Sequence, residues 1–409
     1  MVAMLKNRTS RPSGGWGAVL ALTLCVSTLI ASEFMPVSLL TPIASGLRVT
    51  EGQAGQAITA SGIFAVLTSL FISTVTRRLD RRSLLLWLTG AMIASGIIAA
   101  TAANFPMLLV GRALIGVVIG GFWSMSTATV MRLVPEKDVP RALAMLNGGN
   151  ALATTVAAPL GSFLGQYIGW RGAFFCVVPL ALVTLTWQFL TLPKMPSRER
   201  SSAGAAFKVL RRPQVPLGML AVGLFFMGQF ALFTYLRPFL ETVTGVGVST
   251  LSLILLTLGI AGLAGTYVIG QLLKKTLYGL LIGMPVAMAA IAAGLIVFGS
   301  SAMVVAALLA MWGLIGTAAP VGWWTWMSKV LPDEAEAGGG LMVAVIQLAI
   351  TLGASVGGLL FDGSGYRATF GASAAILGAS ALIALVASKS GRRNPSFDRA
   401  LPNTACSIG

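Results

Sequence analysis

The chain of 409 residues has no histidine, three cysteines and few charged side chains, which make up 10% of it. A water-soluble domain carries roughly a quarter charged residues, so this scarcity excludes a soluble globular fold. The apolar content excludes a disordered chain. Without histidine there is no histidine metal site or proton relay, and the usual nucleophile–base pairs are unavailable. Cys25, Cys176 and Cys406 lie far apart with no C-x-x-C pair, so neither a disulfide framework nor a zinc cluster is expected. There is no P-loop and no soluble catalytic unit, so no enzyme activity, metal or cofactor is expected. Acid is scarcer than base, 12 Asp+Glu against 28 Lys+Arg, a net charge of +16. In a soluble protein that excess would suggest nucleic acid. Here it reads as a topological signal, and no nucleic-acid partner is expected.

What the chain has in abundance is apolar sequence: 56% of residues and a mean hydropathy of +0.87. Apolar runs of about 20 residues recur from end to end, the length a helix needs to cross a bilayer core. A β-barrel would show alternating segments of about 10 residues. The fold class is therefore an all-α membrane protein. Lys6, Arg8 and Arg11 precede the first run, as in a signal peptide. That run is longer than the 7–15 residues of a cleaved apolar core, so it is read as a retained first span. Twelve spans account for the runs: 16–41, 54–76, 83–103, 105–131, 141–165, 171–192, 216–240, 249–273, 277–299, 301–328, 338–361 and 366–387.

Charge tests this layout. Connections from odd to even spans hold Arg48, Arg171, Arg237 and Arg367, four in all, whereas the termini and the other connections hold 23. Lys and Arg are retained on the cytoplasmic side, which places both termini there. The organisation is then a cytoplasmic segment 1–15, a six-helix bundle 16–192, a cytoplasmic linker 193–215, a second bundle 216–387 and a tail 388–409. The linker is basic, with Lys194, Arg198, Arg200, Lys208, Arg211 and Arg212. The halves resemble each other at an offset of 196: PLGSFLGQYIGWR at 159–171 aligns with SVGGLLFDGSGYR at 355–367. A duplicated six-helix unit is a transporter design, with the substrate site between the halves near mid-membrane.

This layout leaves two charged side chains well inside spans, Glu33 and Arg112. Each lies 7 or 8 residues from the outer end of its span, about 10–12 Å at 1.5 Å per residue, so the two can share a level. Apolar surroundings favour the neutral form of a carboxyl, which makes Glu33 a candidate proton carrier; a fixed salt bridge or backbone hydrogen bond is the alternative. Arg112 either tunes that carboxyl, contacts substrate or holds helices together. Gly111, Gly116, Gly120 and Gly121 place small residues along span 4, the spacing of close helix packing. Asn147 and Asn150 open span 5 as ligand donors or helix glue. In the second half Gln229, Tyr235, Trp323 and Gln347 are the polar and aromatic candidates. The amides offer donors and acceptors to a neutral polar ligand, and an indole at Trp323 can stack on a planar one. Trp326, close to Lys329, reads as part of an interfacial belt. In Arg77-Arg78-Leu79-Asp80-Arg81-Arg82 the arginines suit positive-inside retention, and Asp80 could pair with a neighbouring helix end in one conformation and release in another.

These motifs resemble the major facilitator superfamily, in its twelve-span drug:proton antiporter branch. The segment around Asp80 and Arg81 resembles the loop between spans 2 and 3, although Thr76 stands where glycine is usual. Gly111-Arg112 through Gly120 is similar to the span 4 motif, Ala158-Pro159-Leu160-Gly161 to the span 5 motif, and Glu33-Phe34-x-Pro36 to the span 1 signature. Within the branch the chain resembles the purine ribonucleoside efflux pumps, in EFMPVSLLTP (33–42), GGFWSMS (120–126, with Trp123), MRLVPEKDVPRAL (131–143), APLGSFLGQYIGWR (158–171), GQFALFTYLRP (228–238), PVGWWTW (320–326) and VAVIQLA (343–349). The resemblance implies the major facilitator fold, two pseudo-symmetric bundles, in a monomeric multi-pass protein of the bacterial inner membrane. It implies proton coupling through Glu33 and Arg112, a gate at Asp80 and Arg81, and a ligand site including Trp123. Its partners would be protons and a small-molecule substrate, a purine nucleoside such as inosine or guanosine, exported by alternating access. A multidrug or sugar efflux protein of the same superfamily is the alternative, and a membrane-embedded sensor or enzyme is a more distant one.

Overall fold

The computed structural model describes residues 15–76, 79–196, 209–212, 214–273, 275–331 and 335–392. Residues 1–14, Arg77, Arg78, the linker residues Arg198, Arg200 and Lys208, and residues 393–409 with Cys406 lie outside the described residues. Within them the chain is helical, with no strand.

Among the described residues ten helices are long and apolar enough to cross a membrane, but two of them are double. Val139–Thr191 has 53 residues and Ala335–Arg392 has 58. At 1.5 Å per residue each would be about 80 Å long if straight, more than twice the thickness of a bilayer core. Each turns back at one glycine, Gly169 (φ 71°, ψ 166°) and Gly365 (φ 76°, ψ −177°). That backbone region is essentially closed to residues with a Cβ. These glycines are 196 residues apart, the offset of the sequence repeat, and they join spans 5 to 6 and 11 to 12. Twelve crossings result.

The remaining spans are Glu51–Val75, Arg81–Ala100, Phe105–Leu133, Val248–Leu272, Leu277–Phe298 and Ala302–Val330. Spans 1 and 7 are each interrupted once. Gly15–Ser38 continues as Leu40–Leu47, and Val215–Phe233 as Leu236–Thr242. The interrupting residues have nearly the same backbone, Leu39 at φ −114°, ψ 11° and Tyr235 at φ −103°, ψ 17°. They too are 196 residues apart. The duplication therefore extends to local backbone defects. Span 1 runs to Leu47, six residues beyond its expected end at 41.

Local chemistry sets the helix starts. Thr50 and Gln53 form a reciprocal capping box on span 2, Asp80 accepts from Arg82 N on span 3 at 2.7 Å, and Asn104 accepts from Met107 N on span 4 at 2.9 Å. These caps satisfy backbone N–H groups that have no partner inside the helix. The glycines of span 4 do what small residues do in membranes. A methyl group at Gly116 would lie 2.2 Å from Ser61 O, and one at Gly120 would lie 2.3 Å from Ala65 O, so spans 2 and 4 are in backbone contact.

The halves meet along two seams related by the repeat, span 2 on span 11 and span 5 on span 8. Toward the face opposite the start of span 1, here the far face, Asp362 accepts from Thr50 Oγ1 at 2.5 Å and from Gly52 N at 2.9 Å. Deeper along the same seam Thr59 and Ser355 share a hydrogen bond of 2.8 Å. On the other seam Thr155 Oγ1 donates to Gly259 O at 3.2 Å. One aromatic expectation is corrected. Trp326 is buried against Gly218 and Trp323, not set in an interfacial belt; the exposed indole of that cluster is Trp324.

Candidate functional site

The site is built on defects in span 1. Pro36 and Pro42 have no N–H, and a proline inside a helix leaves unbonded the carbonyl four residues earlier. Those carbonyls belong to Ser32 and Ser38. Each is taken by an arginine from elsewhere: Arg112 Nη1 donates to Ser32 O at 2.8 Å, and Arg237 Nη1 donates to Ser38 O. Arg237 reaches across from the second half and is held by an ion pair with Glu241, 2.8 Å.

Arg112 is 1% exposed. Besides Ser32 it donates from Nε to Ala57 O at 3.2 Å, and from Nη2 to Glu33 O at 3.1 Å and to Ser61 Oγ at 3.2 Å. It binds spans 1 and 2 to span 4 and sits level with Glu33. It touches the backbone of Glu33; among the described residues its hydrogen bonds reach no carboxylate. This geometry explains how a guanidinium survives in apolar surroundings: its donors are engaged with three backbone carbonyls, one of them freed by Pro36, and with one hydroxyl.

The Glu33 carboxyl is therefore outside the hydrogen bonds of Arg112. The residue is 8% exposed. Its Oε1 accepts from Gln347 Nε2 of span 11 at 3.4 Å, at the long end for a hydrogen bond. Oε2 has no hydrogen-bond partner among the described residues. The acid thus stands at the boundary between halves, loosely held from the opposite side. Next to it in sequence, Phe34 stacks on Phe230 (centroids 5.9 Å, planes 22°) and meets Phe233 edge-on at 6.5 Å. Phe34 and Phe230 are themselves repeat mates, as are Glu33 and Gln229. A contact between equivalent residues places the phenyl pair on the pseudo-two-fold axis, with Glu33 and Gln229 beside it in the two halves.

The other expected site residues are dispersed. Gln229 is half-buried against Gly316, its Oε1 buried without a partner. Trp123 is half-buried, edge-on to Phe122 at 6.0 Å. Asn147 is exposed and donates to Leu143 O of its own helix at 3.0 Å; Asn150 is half-buried. Trp323 is 1% exposed, edge-on to Trp326 at 6.1 Å in the core of the second half, with its Nε1 unpartnered. Tyr235 lies in the far-face seal: its hydroxyl donates to Ala354 O at 2.8 Å, its ring stacks on Phe361 at 5.2 Å, and it closes on Gly55 of the first half. Asp80 accepts from Met195 N at 2.9 Å, and Arg81 N donates to Met195 O at 3.0 Å, so both engage the end of span 6 in their own half.

Sequence reasoning missed Phe230, Phe233, Arg237 and Asp362. Pro42 was the available signal for Arg237, since a freed carbonyl needs a donor. Asp362 lay in the repeated segment as an isolated acid.

A family model described as Major Facilitator Superfamily matches residues 20–349. The chain is 58% identical over 388 residues to "Transcription regulatory protein OpdE" of Pseudomonas aeruginosa, covering 94% of this chain and 96% of that one. It is 42% identical over 374 residues to "Purine ribonucleoside efflux pump NepI" of Salmonella typhimurium, covering 91% and 94%. Among solved structures, a D-xylose–proton symporter superposes with a TM-score of 0.75 at 17% identity, covering 91% of this chain and 97% of that one. A bacterial homologue of the human lysosomal transporter Spinster, inward-facing and unoccupied, gives 0.74 at 16%, covering 93% and 98%. At such identities the structures speak for the fold alone. The duplicated six-span architecture, the proline-broken span 1 and a family match over most of the length agree, and the chain belongs to the Major Facilitator Superfamily.

Proposed function

We propose that this transporter is a proton-coupled exporter of purine ribonucleosides such as inosine and guanosine, working by alternating access from the inner membrane with both termini cytoplasmic. The observation that carries the reading is Glu33: a carboxyl in mid-span, held by one long contact from the opposite half. Charge in such a place is costly and marks function when it is not locked in a pair. Arg112 positions the backbone that bears the acid and leaves the carboxyl free. A proton from outside neutralises Glu33 and weakens its hold on substrate. The halves then rock about the seams, and the proton leaves inside as new substrate is taken up. Asp80 and Arg81 act as a gate by binding and releasing the end of span 6. Gln229, Gln347 and Trp123 are the substrate-facing candidates, with Asn147 and Asn150 toward the cytoplasmic opening. Tyr235 acts through the external seal and Trp323 through the packing of span 10.

Similarity at 42% to a named purine ribonucleoside pump supports the substrate class. The regulatory name carried by the 58% relative is compatible with it, because an exporter that lowers the internal level of an effector alters transcription without binding DNA. The test is uptake of labelled inosine into inverted membrane vesicles driven by an acid interior. Wild type accumulates inosine. Glu33→Gln loses at least about 90% of gradient-driven uptake, since a mutation that removes the carrier removes the coupling and not only part of the binding energy. Equal uptake by the variant contradicts the role of Glu33.

A further inference from the structure

Three groups converge on the pseudo-two-fold axis: a carboxyl acceptor at Glu33, an amide donor at Gln347 Nε2 that already points at it from 3.4 Å, and the phenyl rings of Phe34, Phe230 and Phe233. Phe34 and Phe233 are half-buried. The Glu33–Gln347 contact is long, the carboxyl has a second oxygen with no partner among the described residues, and the charged group nearest in the hydrogen-bond network, Arg112, is committed to backbone. An acceptor next to a donor, beside aromatic faces, is the complement of a planar heterocycle that carries a donor next to an acceptor.

We infer that Glu33 and Gln347 together read the 6-oxo edge of a purine, so that the transporter selects 6-oxopurine nucleosides over 6-aminopurine nucleosides. This rests on the reading of the protein as a nucleoside exporter and adds the chemistry of its selectivity. In the bound state the two oxygens of Glu33 accept from the ring N1–H and, in guanosine, from the exocyclic 2-amino group as well. Gln347 Nε2 moves from Glu33 to the carbonyl O6. The base lies against Phe34 and Phe233, where stacking is favourable for any flat ring. Adenine presents these groups in reverse order, an acceptor at N1 and a donor at position 6. With the ribose holding the base in one orientation, adenine sets a lone pair against the carboxylate and an N–H against the amide donor, leaving buried polar groups unpaired. A site built to hydrogen-bond a given edge rejects an analogue that lacks it more strongly than a merely apolar pocket does. A proton on Glu33 replaces an acceptor by a donor facing N1–H, so the same carboxyl that selects the base also releases it.

The experiment uses the full chain in proteoliposomes, with labelled guanosine uptake challenged by unlabelled guanosine, inosine, adenosine and 1-methylguanosine, whose methyl group removes the N1–H. Inosine is expected to compete within about threefold of guanosine, and adenosine and 1-methylguanosine at least about tenfold less well, the loss of one or two hydrogen bonds. In Gln347→Met, which keeps length and loses the donor, the ratio of guanosine to adenosine inhibition falls at least about fivefold toward one. Equal competition by 1-methylguanosine and guanosine overturns the edge-reading while leaving nucleoside export standing. No uptake of guanosine at all overturns both. The wild-type panel decides the matter even if Gln347→Met does not fold.

Discussion

Glu33 and Gln229 hold equivalent places in the two halves, as do Phe34 and Phe230, Leu39 and Tyr235, and Gly169 and Gly365, all at one offset. The scaffolds are alike down to the φ and ψ of the interrupted helices, and the chemistry is not. Where the first half has Arg112, the second has Leu308; where the first has a carboxylate, the second has an amide. The proline pattern explains part of this. Pro36 of span 1 frees a carbonyl that needs Arg112, whereas its mate, Leu232, frees none. Pro42 and Pro238 are mates, but the carbonyl freed by Pro42 is served from the other half by Arg237. One half carries the titratable group, and the other contributes neutral polar contacts to it through Gln347. The proposed proton exchange needs only one such carboxyl, and the first half alone supplies it at this position.

The largest expected effect comes from making the first half like the second at Arg112. Arg112→Leu leaves the carbonyl of Ser32 without its donor in a buried site and removes the links to Ala57, Glu33 and Ser61, at a cost of about 1–3 kcal/mol for the unpaired carbonyl alone. The expected outcome is a lower melting temperature in detergent and loss of folded protein in the membrane. Arg112→Lys, which keeps charge but loses the planar fork, falls between the two. Equal melting temperatures for Leu and wild type would show that the arginine does not hold spans 1, 2 and 4 together.

A smaller effect separates position from surroundings. In the swap Glu33→Gln with Gln229→Glu, the acid moves to the mate position, where no arginine serves the backbone and no Gln347 faces it. If the surroundings make the carrier, the swap variant folds, still binds nucleoside within about tenfold of wild type, and stays uncoupled from the proton gradient. Restored coupling would mean that the axis position alone suffices.

Much of the fold was legible. The twelve crossings, their parity and the 196-residue repeat could be read from run lengths, arginine placement and a glycine-aromatic-arginine triplet, because each has a cause that acts locally in the chain. Glu33 and Arg112 were legible as two charges at one level because charge is rare in such sequence, and the arginine does reach the backbone of Glu33. The surroundings of the aromatic and amide candidates were not. Helix faces toward lipid and toward protein are equally apolar in a membrane, so no periodicity told that Trp323 and Trp326 are packed in the core of the second half or that Tyr235 lies in the far-face seal. The contact between Gln347 and Glu33 spans 314 residues, and nothing local encodes it.

The measurement closest to the central claim is proton release on binding. Purified protein in weakly buffered detergent solution, near neutral pH, is titrated with guanosine while a pH indicator is followed. If substrate and proton compete for the Glu33 carboxyl, wild type releases up to about one proton per bound guanosine, the release shrinks as the starting pH rises and the carboxyl is already ionised, and Glu33→Gln binds with no release. Saturable guanosine binding with no proton released from wild type at any pH, or the same release from Glu33→Gln, would contradict the account.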